Sequence, residues 1–227
     1  MIEPTRVLAL RHGETAWNAD FRLQGQLDVP LNNRGHWQAG RLAAALQDQD
    51  VSAVYASDLT RALQTAQALA LCVNLPVRSE PGLRERGFGC FEGQSYGDIH
   101  RRWPAQALRW RQRDPAFEPA GGESLVAFNE RSLETASRLA ARHPGELIAL
   151  VSHGGVLDCL YRAGTGIGLS APRTWRLGNA VINRLLYNPG GFAVVGWNDD
   201  AHLDEPGVPE PVEEKTDRAG ARPAPSR

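Results

Sequence analysis

Four short stretches carry residues whose types and spacing could do chemistry. Arg11-His12-Gly13 follows an apolar run at 7–10, and His153-Gly154-Gly155 follows a second one at 147–151. Each run reads as a buried strand that delivers polar side chains to its carboxyl end, where open α/β sheets bind ligands. Gly13 lets backbone and ligand approach closely. Gly154 and Gly155 open a helix whose first N–H groups are free to receive an anion. Arg61 falls in the first turn of another helix, where the macrodipole disfavours a cation by up to about 1 kcal/mol. A solvated side chain reaching away from that helix is the ordinary outcome; the alternative is that Arg61 faces the same anion as Arg11. Two arginines and two histidines on one rim suit a phosphoryl group, because guanidinium binds phosphate oxygens bidentately. Glu85, in a glycine-rich loop at 84–98 that can fold over the rim, is the natural proton donor, although a lone loop glutamate is more often a solvated carboxylate.

These groups need elements to hold them, and the pattern supplies alternating strands and helices. Asn32 or Asn33 caps a helix that runs to about Leu46, and 51–56 is a β-rich run. Ser57 or Asp58 then caps a helix with Leu59, Ala62, Leu63, Ala66, Leu69 and Ala70 on one face. Residues 76–78 suggest a short third strand. Residues 16–30 show neither helical nor strand period and read as a loop folded over the strand end; they include Trp17, Asn18, Arg22, Gln24 and Gly25. The Arg/Trp-rich stretch 101–113 is expected to form short helices, either covering the pocket or presenting a solvated basic face. Glu123 or Ser124 begins a helix to about Arg142 that Gly145 closes. Residues 181–187 and 192–197 form a final strand pair. Strands alternating with helices predict a parallel sheet covered on both faces.

The 227 residues suit one α/β domain over 1–204, with a cap insertion at about 92–121. From 205 to 227 the chain is rich in Pro, Glu and Arg, lacks aromatics, and is expected to be disordered. A net charge of -1 with 42% hydrophobic residues argues against a nucleic-acid partner or a membrane surface. No apolar run is long enough to span a bilayer, and the first residues lack the pattern of a signal peptide. Cys72, Cys90 and Cys159 fit neither a disulfide framework nor a metal site, so a reduced, cytoplasmic setting is the default. A homodimer remains open.

Residues 10–15 with Trp17-Asn18 resemble the signature of the histidine phosphatase superfamily, in its phosphoglycerate-mutase-like branch. The resemblance continues through 24–31, Arg34-Gly35, 57–62 with Thr65-Ala66, 83–85, 122–124 and 151–155, in order from residue 7 to about 200. It implies a three-layer α/β fold with a mostly parallel sheet flanked by helices and a small helical cap. By the same resemblance His12 matches the phosphorylated nucleophile, and Arg11, Arg61 and His153 match the holders of the phosphoryl oxygens. Asn18 matches a further phosphate contact, and Glu85 the acid and base. Gln24 and Gly25, inside the matching stretch, and Gly154, at the helix start, complete the substrate-binding set. No cofactor and no metal are implied. The expected activity is a phosphomonoesterase acting on a small phosphorylated metabolite. The alternatives are a phosphoglycerate mutase and a non-catalytic phospholigand binder. After the glutamate, the mutase pattern has Tyr then Lys where this chain has Phe88 and Tyr96. It has Trp-Arg-Arg where this chain has Trp110-Arg111-Gln112, a deficit that Arg109, Arg111 and Arg113 could offset.

Overall fold

The structure, a computed structural model, describes residues 3–204. Strand β1 (Thr5–Arg11) leads to a one-turn helix α1 (Ala16–Ala19), then α2 (Asn33–Leu46), β2 (Val51–Ala56), α3 (Thr60–Cys72) and β3 (Val77–Ser79). Helices α4 (Tyr96–Arg102), α5 (Pro104–Arg111) and α6 (Leu125–Ala140) follow. Strand β4 (Leu147–Ser152), α7 (Gly154–Thr165), β5 (Ile182–Asn188) and β6 (Gly191–Asp199) complete the described residues.

The six strands lie in the order β3-β2-β4-β1-β5-β6. β1 pairs parallel with β4 and antiparallel with β5, so the sheet is mixed, with a parallel part ending at β1. Alternation along β1 divides the core. Val7 and Ala9 join Ile148, Leu150, Phe128, Leu139 and Leu157 on the α6/α7 face. Leu8 and Leu10 join Ala149, Val151, Leu42, Ala62 and Leu69 on the α2/α3 face. Every residue of β4 is buried, as expected of a strand covered on both sides. A separate cluster of Phe91, Ile99, Ala107 and Phe117, backed by Leu23, Phe88 and Trp110, packs α4 and α5 beside the rim.

Three sequence expectations change. The stretch 16–30 is not wholly loop: Thr15 caps α1 through its hydroxyl, and Asn18 returns a side-chain bond to the Thr15 amide. Such a capping box forms one turn without any apolar period to announce it. Neither Ser57 nor Asp58 caps α3; the cap is Leu59, without a side-chain bond. Asp28, arriving from the loop, instead accepts from the Thr60 amide and hydroxyl, each at 2.7 Å. Gly145 does not close α6, which ends at Ala140; at φ +80° it forms the turn into β4. The expected tail at 205–227 lies outside the described residues. Among those residues no helix is long and apolar enough to cross a membrane.

Candidate active site

β1 and β4 are adjacent and parallel, with Arg11 opposite Ser152. This register brings the two strand-then-histidine turns side by side, and the His12 and His153 rings lie 5.1 Å apart. The rim there holds a cleft of about 70 Å³, lined by Arg11, His12, Asn18, Gln24, Gly25, Arg61 and Glu85 together with Trp17, Phe21, Arg22, Leu23, Phe88 and Tyr96.

The His12 ring is buried, and its Nδ1 lies 2.7 Å from the Gly13 carbonyl oxygen. A carbonyl only accepts, so Nδ1 carries the proton and Nε2 keeps its lone pair. Burial above all, then Arg61 and Arg11, hold the His12 pKa well below the usual 6.5. Burial leads the same shift at His153, followed by Arg61, His12 and Arg11. His153 Nε2 meets the Ser57 hydroxyl at 2.8 Å, which accounts for Ser57 not capping α3.

Arg61 turns inward and is buried despite its place in the first turn of α3. The main-chain oxygens of Leu27 and Gly25 accept from its Nη1 and Nη2 at 2.9 and 2.8 Å, which offsets the unfavourable helix end. Burial lowers its pKa to about 10, so it remains cationic at neutral pH. Arg11 donates through Nη1 to the Leu177 carbonyl. Arg11 Nε, Arg61 Nε and His153 Nδ1 are buried and without a hydrogen-bond partner among the described residues. Two buried guanidinium donors in that state suit the oxygens of a tetrahedral anion, and His153 Nδ1 joins them as a donor in the tautomer in which the Ser57 hydroxyl donates to Nε2.

Glu85 reaches the rim by a route not visible in the sequence. Its Oε2 accepts from the Gly155 amide at 2.9 Å, and Oε1 from the Arg86 amide at 2.8 Å. The open N-terminus of α7 thus receives a carboxylate of the chain itself. Gly154 lies behind the Arg11 guanidinium, 3.5 Å from Nε to the position its Cβ would take, and is not part of the cleft wall. Gly13 likewise accommodates protein rather than ligand: a Cβ there would sit 2.5 Å from the Gly35 carbonyl oxygen.

The Glu85 loop is held by three residues of other segments, Arg131, Glu123 and Asp58. Arg131 donates to the carbonyls of Gly82, Arg84 and Glu85, and also pairs with Glu123 at 2.8 Å. Glu123 accepts from the Gly87 amide at 2.7 Å. Asp58 completes the hold with two bonds from Arg84, at 2.6 and 2.5 Å. Arg131 gave no signal in the sequence beyond being a charge on a mostly apolar helix face. Phe21 and Leu23 were equally silent, since a loop carries no period.

The basic stretch does not line the cleft. Arg101 pairs with Asp98, Arg109 with Asp114, and Arg113 with Asp158; Arg111 is exposed. What the stretch contributes is Trp110, whose ring stacks on Tyr96 at 5.4 Å and meets Phe88 edge-on at 5.9 Å. Among the described residues no group of three His, Cys, Asp or Glu side chains could hold a metal ion.

Residues 7–200 match the model of the histidine phosphatase superfamily (branch 1), and the chain belongs to that family. It is 37% identical over 210 residues to phosphoglycerate mutase-like protein 4 of Arabidopsis thaliana, covering 91% of this chain and 90% of that one. It is 34% identical to the metal-independent phosphoserine phosphatase of the same plant, covering 90% and 86%. Its fold superposes on a mycobacterial glucosyl-3-phosphoglycerate phosphatase in complex with VO3 with a TM-score of 0.78, at 32% identity and over 86% and 99% of the two chains.

Proposed function

We propose that this chain is a metal-independent phosphomonoesterase that hydrolyses small phosphorylated metabolites through a phosphohistidine at His12. The observation that carries this reading is the tautomer. With Nδ1 committed to the Gly13 carbonyl, Nε2 is the nucleophilic atom of a cleft that Arg11 and Arg61 also line, each with an unpaired Nε–H. In the first transfer Nε2 attacks phosphorus, the ester P–O bond breaks, and Glu85 gives its proton to the departing alkoxide. In the second, the Glu85 carboxylate takes a proton from water, the new hydroxide attacks phosphorus, and the P–N bond breaks to release phosphate and neutral His12. Arg11, Arg61, His153 and Asn18 bind the phosphoryl oxygens throughout, a role that positioned charge fills in phosphoryl transfer. Three free thiols fit a reducing, cytoplasmic setting.

The same reading places hydrolysis above mutase chemistry. Arg101, Arg109 and Arg113 are paired elsewhere, so they do not supply the cations that would grip a small carboxylate-bearing phosphate. Trp17, Phe21, Leu23, Phe88 and Tyr96 add apolar side chains to a mainly polar lining, in which Arg22 is the one cation besides Arg11 and Arg61 among the described lining residues. Among its relatives, one is named a phosphoserine phosphatase and one a phosphoglycerate mutase-like protein, so both reactions are assayed together. The test is a panel of phosphomonoesters of increasing apolar size, run beside 3-phosphoglycerate interconversion. Hydrolysis should exceed mutase turnover and favour the larger apolar esters. Mutase turnover above hydrolysis of every ester would overturn the proposal.

A further inference from the structure

We infer that Asn179 is a positioning residue that, together with the Thr15 amide, fixes which end of the Asn18 amide faces the phosphoryl group; this rests on the proposed role of Asn18. The argument begins at the nucleophile's own main chain. The His12 carbonyl oxygen receives two bonds from the turn before β5: the Asn179 Nδ2 at 3.1 Å and the Ala180 amide at 3.2 Å. Since a carbonyl only accepts, the Asn179 atom pointing there is its NH2 group.

That same NH2 group lies 3.4 Å from Asn18 Oδ1. Two further donors meet this oxygen, the Thr15 amide at 3.1 Å and the Thr15 hydroxyl at 3.0 Å. The Thr15 hydroxyl accepts from the Asn18 amide, which leaves its proton for Oδ1. Turning the Asn18 side chain over would set its NH2 against two groups that can only donate, the Thr15 amide and the Asn179 NH2. Its oxygen therefore stays inside, and both N–H bonds of Nδ2 are left for the cleft that Asn18 lines. A phosphoryl oxygen then meets a donor and not a carbonyl lone pair. The His12 carbonyl sets the polarity of Asn179, and Asn179 helps set that of Asn18.

The turn that presents Asn179 is held tightly. Ala180 is fully buried at φ +54°, a left-handed conformation that a residue with a Cβ adopts only where its surroundings impose it. The Gly178 amide is anchored on Asn198 Oδ1 at 3.0 Å, and Asn198 is itself at φ +53°. The segment from β5 and β6 thus contributes to the phosphate site although Asn179 is not on the cleft wall.

The experiment is a double-mutant cycle read as the affinity of the intact protein for inorganic phosphate, measured by calorimetry. Asn179→Ala should weaken phosphate binding about tenfold when Asn18 is present, and less than about threefold in the Asn18→Ala background. Asn179→Asp, of the same shape, sets an oxygen against Asn18 Oδ1 and drives the amide to turn over. It should lose more than Asn179→Ala, again mostly through Asn18, and it serves where the alanine variant does not fold. Thermal transitions establish folding for each variant. Equal losses with and without the Asn18 side chain would overturn the inference while leaving the proposed function standing. A wild-type protein that binds no phosphate would overturn both.

Discussion

Replacing Gly155 with alanine tests whether the N-terminus of α7 places the proton donor. A Cβ at this position would lie 2.1 Å from Glu85 Oε1 and 2.9 Å from Phe128 Cζ. Ordinary contact needs about 3.5 Å, so the carboxylate must retreat by more than about 1 Å. The bond from the Gly155 amide, now 2.9 Å, is stretched or lost; a hydrogen bond to a charged group contributes about 1.5–3 kcal/mol. Displacing a reacting group by about 1 Å costs on the order of 10²-fold. With about 1.4 kcal/mol per tenfold, both routes give a fall of roughly 10- to 100-fold in kcat/KM for an alkyl phosphate. That parameter reports the steps through release of the alcohol, where the proposed function has Glu85 act as acid. A 4-nitrophenyl ester leaves without needing a proton and should lose less than about threefold. Alanine gains up to about 1 kcal/mol of helix propensity, against crowding on Phe128 that costs about as much, so the thermal midpoint should move only a few degrees. Equal losses on both esters in a folded variant, or no loss on either, would refute the reasoning.

Other outcomes follow from the same geometry. His12→Ala should abolish an acid-labile, base-stable phosphoenzyme and lower turnover by several orders of magnitude; label retained on the variant would remove His12 as nucleophile. Activity should survive exhaustive chelation if, as proposed, Arg11 and Arg61 meet the phosphate charge; loss restored by added Mg²⁺, Mn²⁺ or Zn²⁺ would point to other chemistry. The depressed pKa of His12, caused first by burial and then by Arg61 and Arg11, puts the acid limb of kcat/KM below 6.5. Stability carries the same signature: the unfolded chain takes up protons at His12 and His153 near pH 6.5 and the folded one does not. Stability is therefore full above that pH and falls as pH drops through it, by about 1.4 kcal/mol per pH unit for each histidine. Urea titrations between pH 7 and 5 read this slope, and His12→Ala should reduce it; an unchanged slope would contradict the buried neutral ring.

Much of the site was legible in the chain because its signals are local. An apolar run that ends in Arg-His-Gly or Ser-His-Gly states both a buried strand and the polar turn beyond it, and the helix periods of α2, α3 and α6 state what covers the sheet. Strands alternating with helices predict a parallel sheet, but that β1 lies beside β4 was decided by the strand order, which brings His12 to His153. The inward turn of Arg61 was one of two readings in sequence. It was decided by the Gly25 and Leu27 carbonyls, which come from a loop some 35 positions away and carry no side-chain signature. Asp58 looked like a helix cap and became the anchor of Arg84, while Asp28 accepts from the first amide of α3. Gly154 and Gly155 looked like a phosphate cradle, yet the Gly155 amide receives Glu85. Of the five arginines at 101–113, three pair with Asp98, Asp114 and Asp158 and the other two are exposed, and the stretch places Trp110 beside the cleft. Sequence determines which groups are available and which local elements carry them. Which donor meets which acceptor depends on main-chain atoms and carboxylates brought together only when the layers close, so the tertiary structure decided the partners.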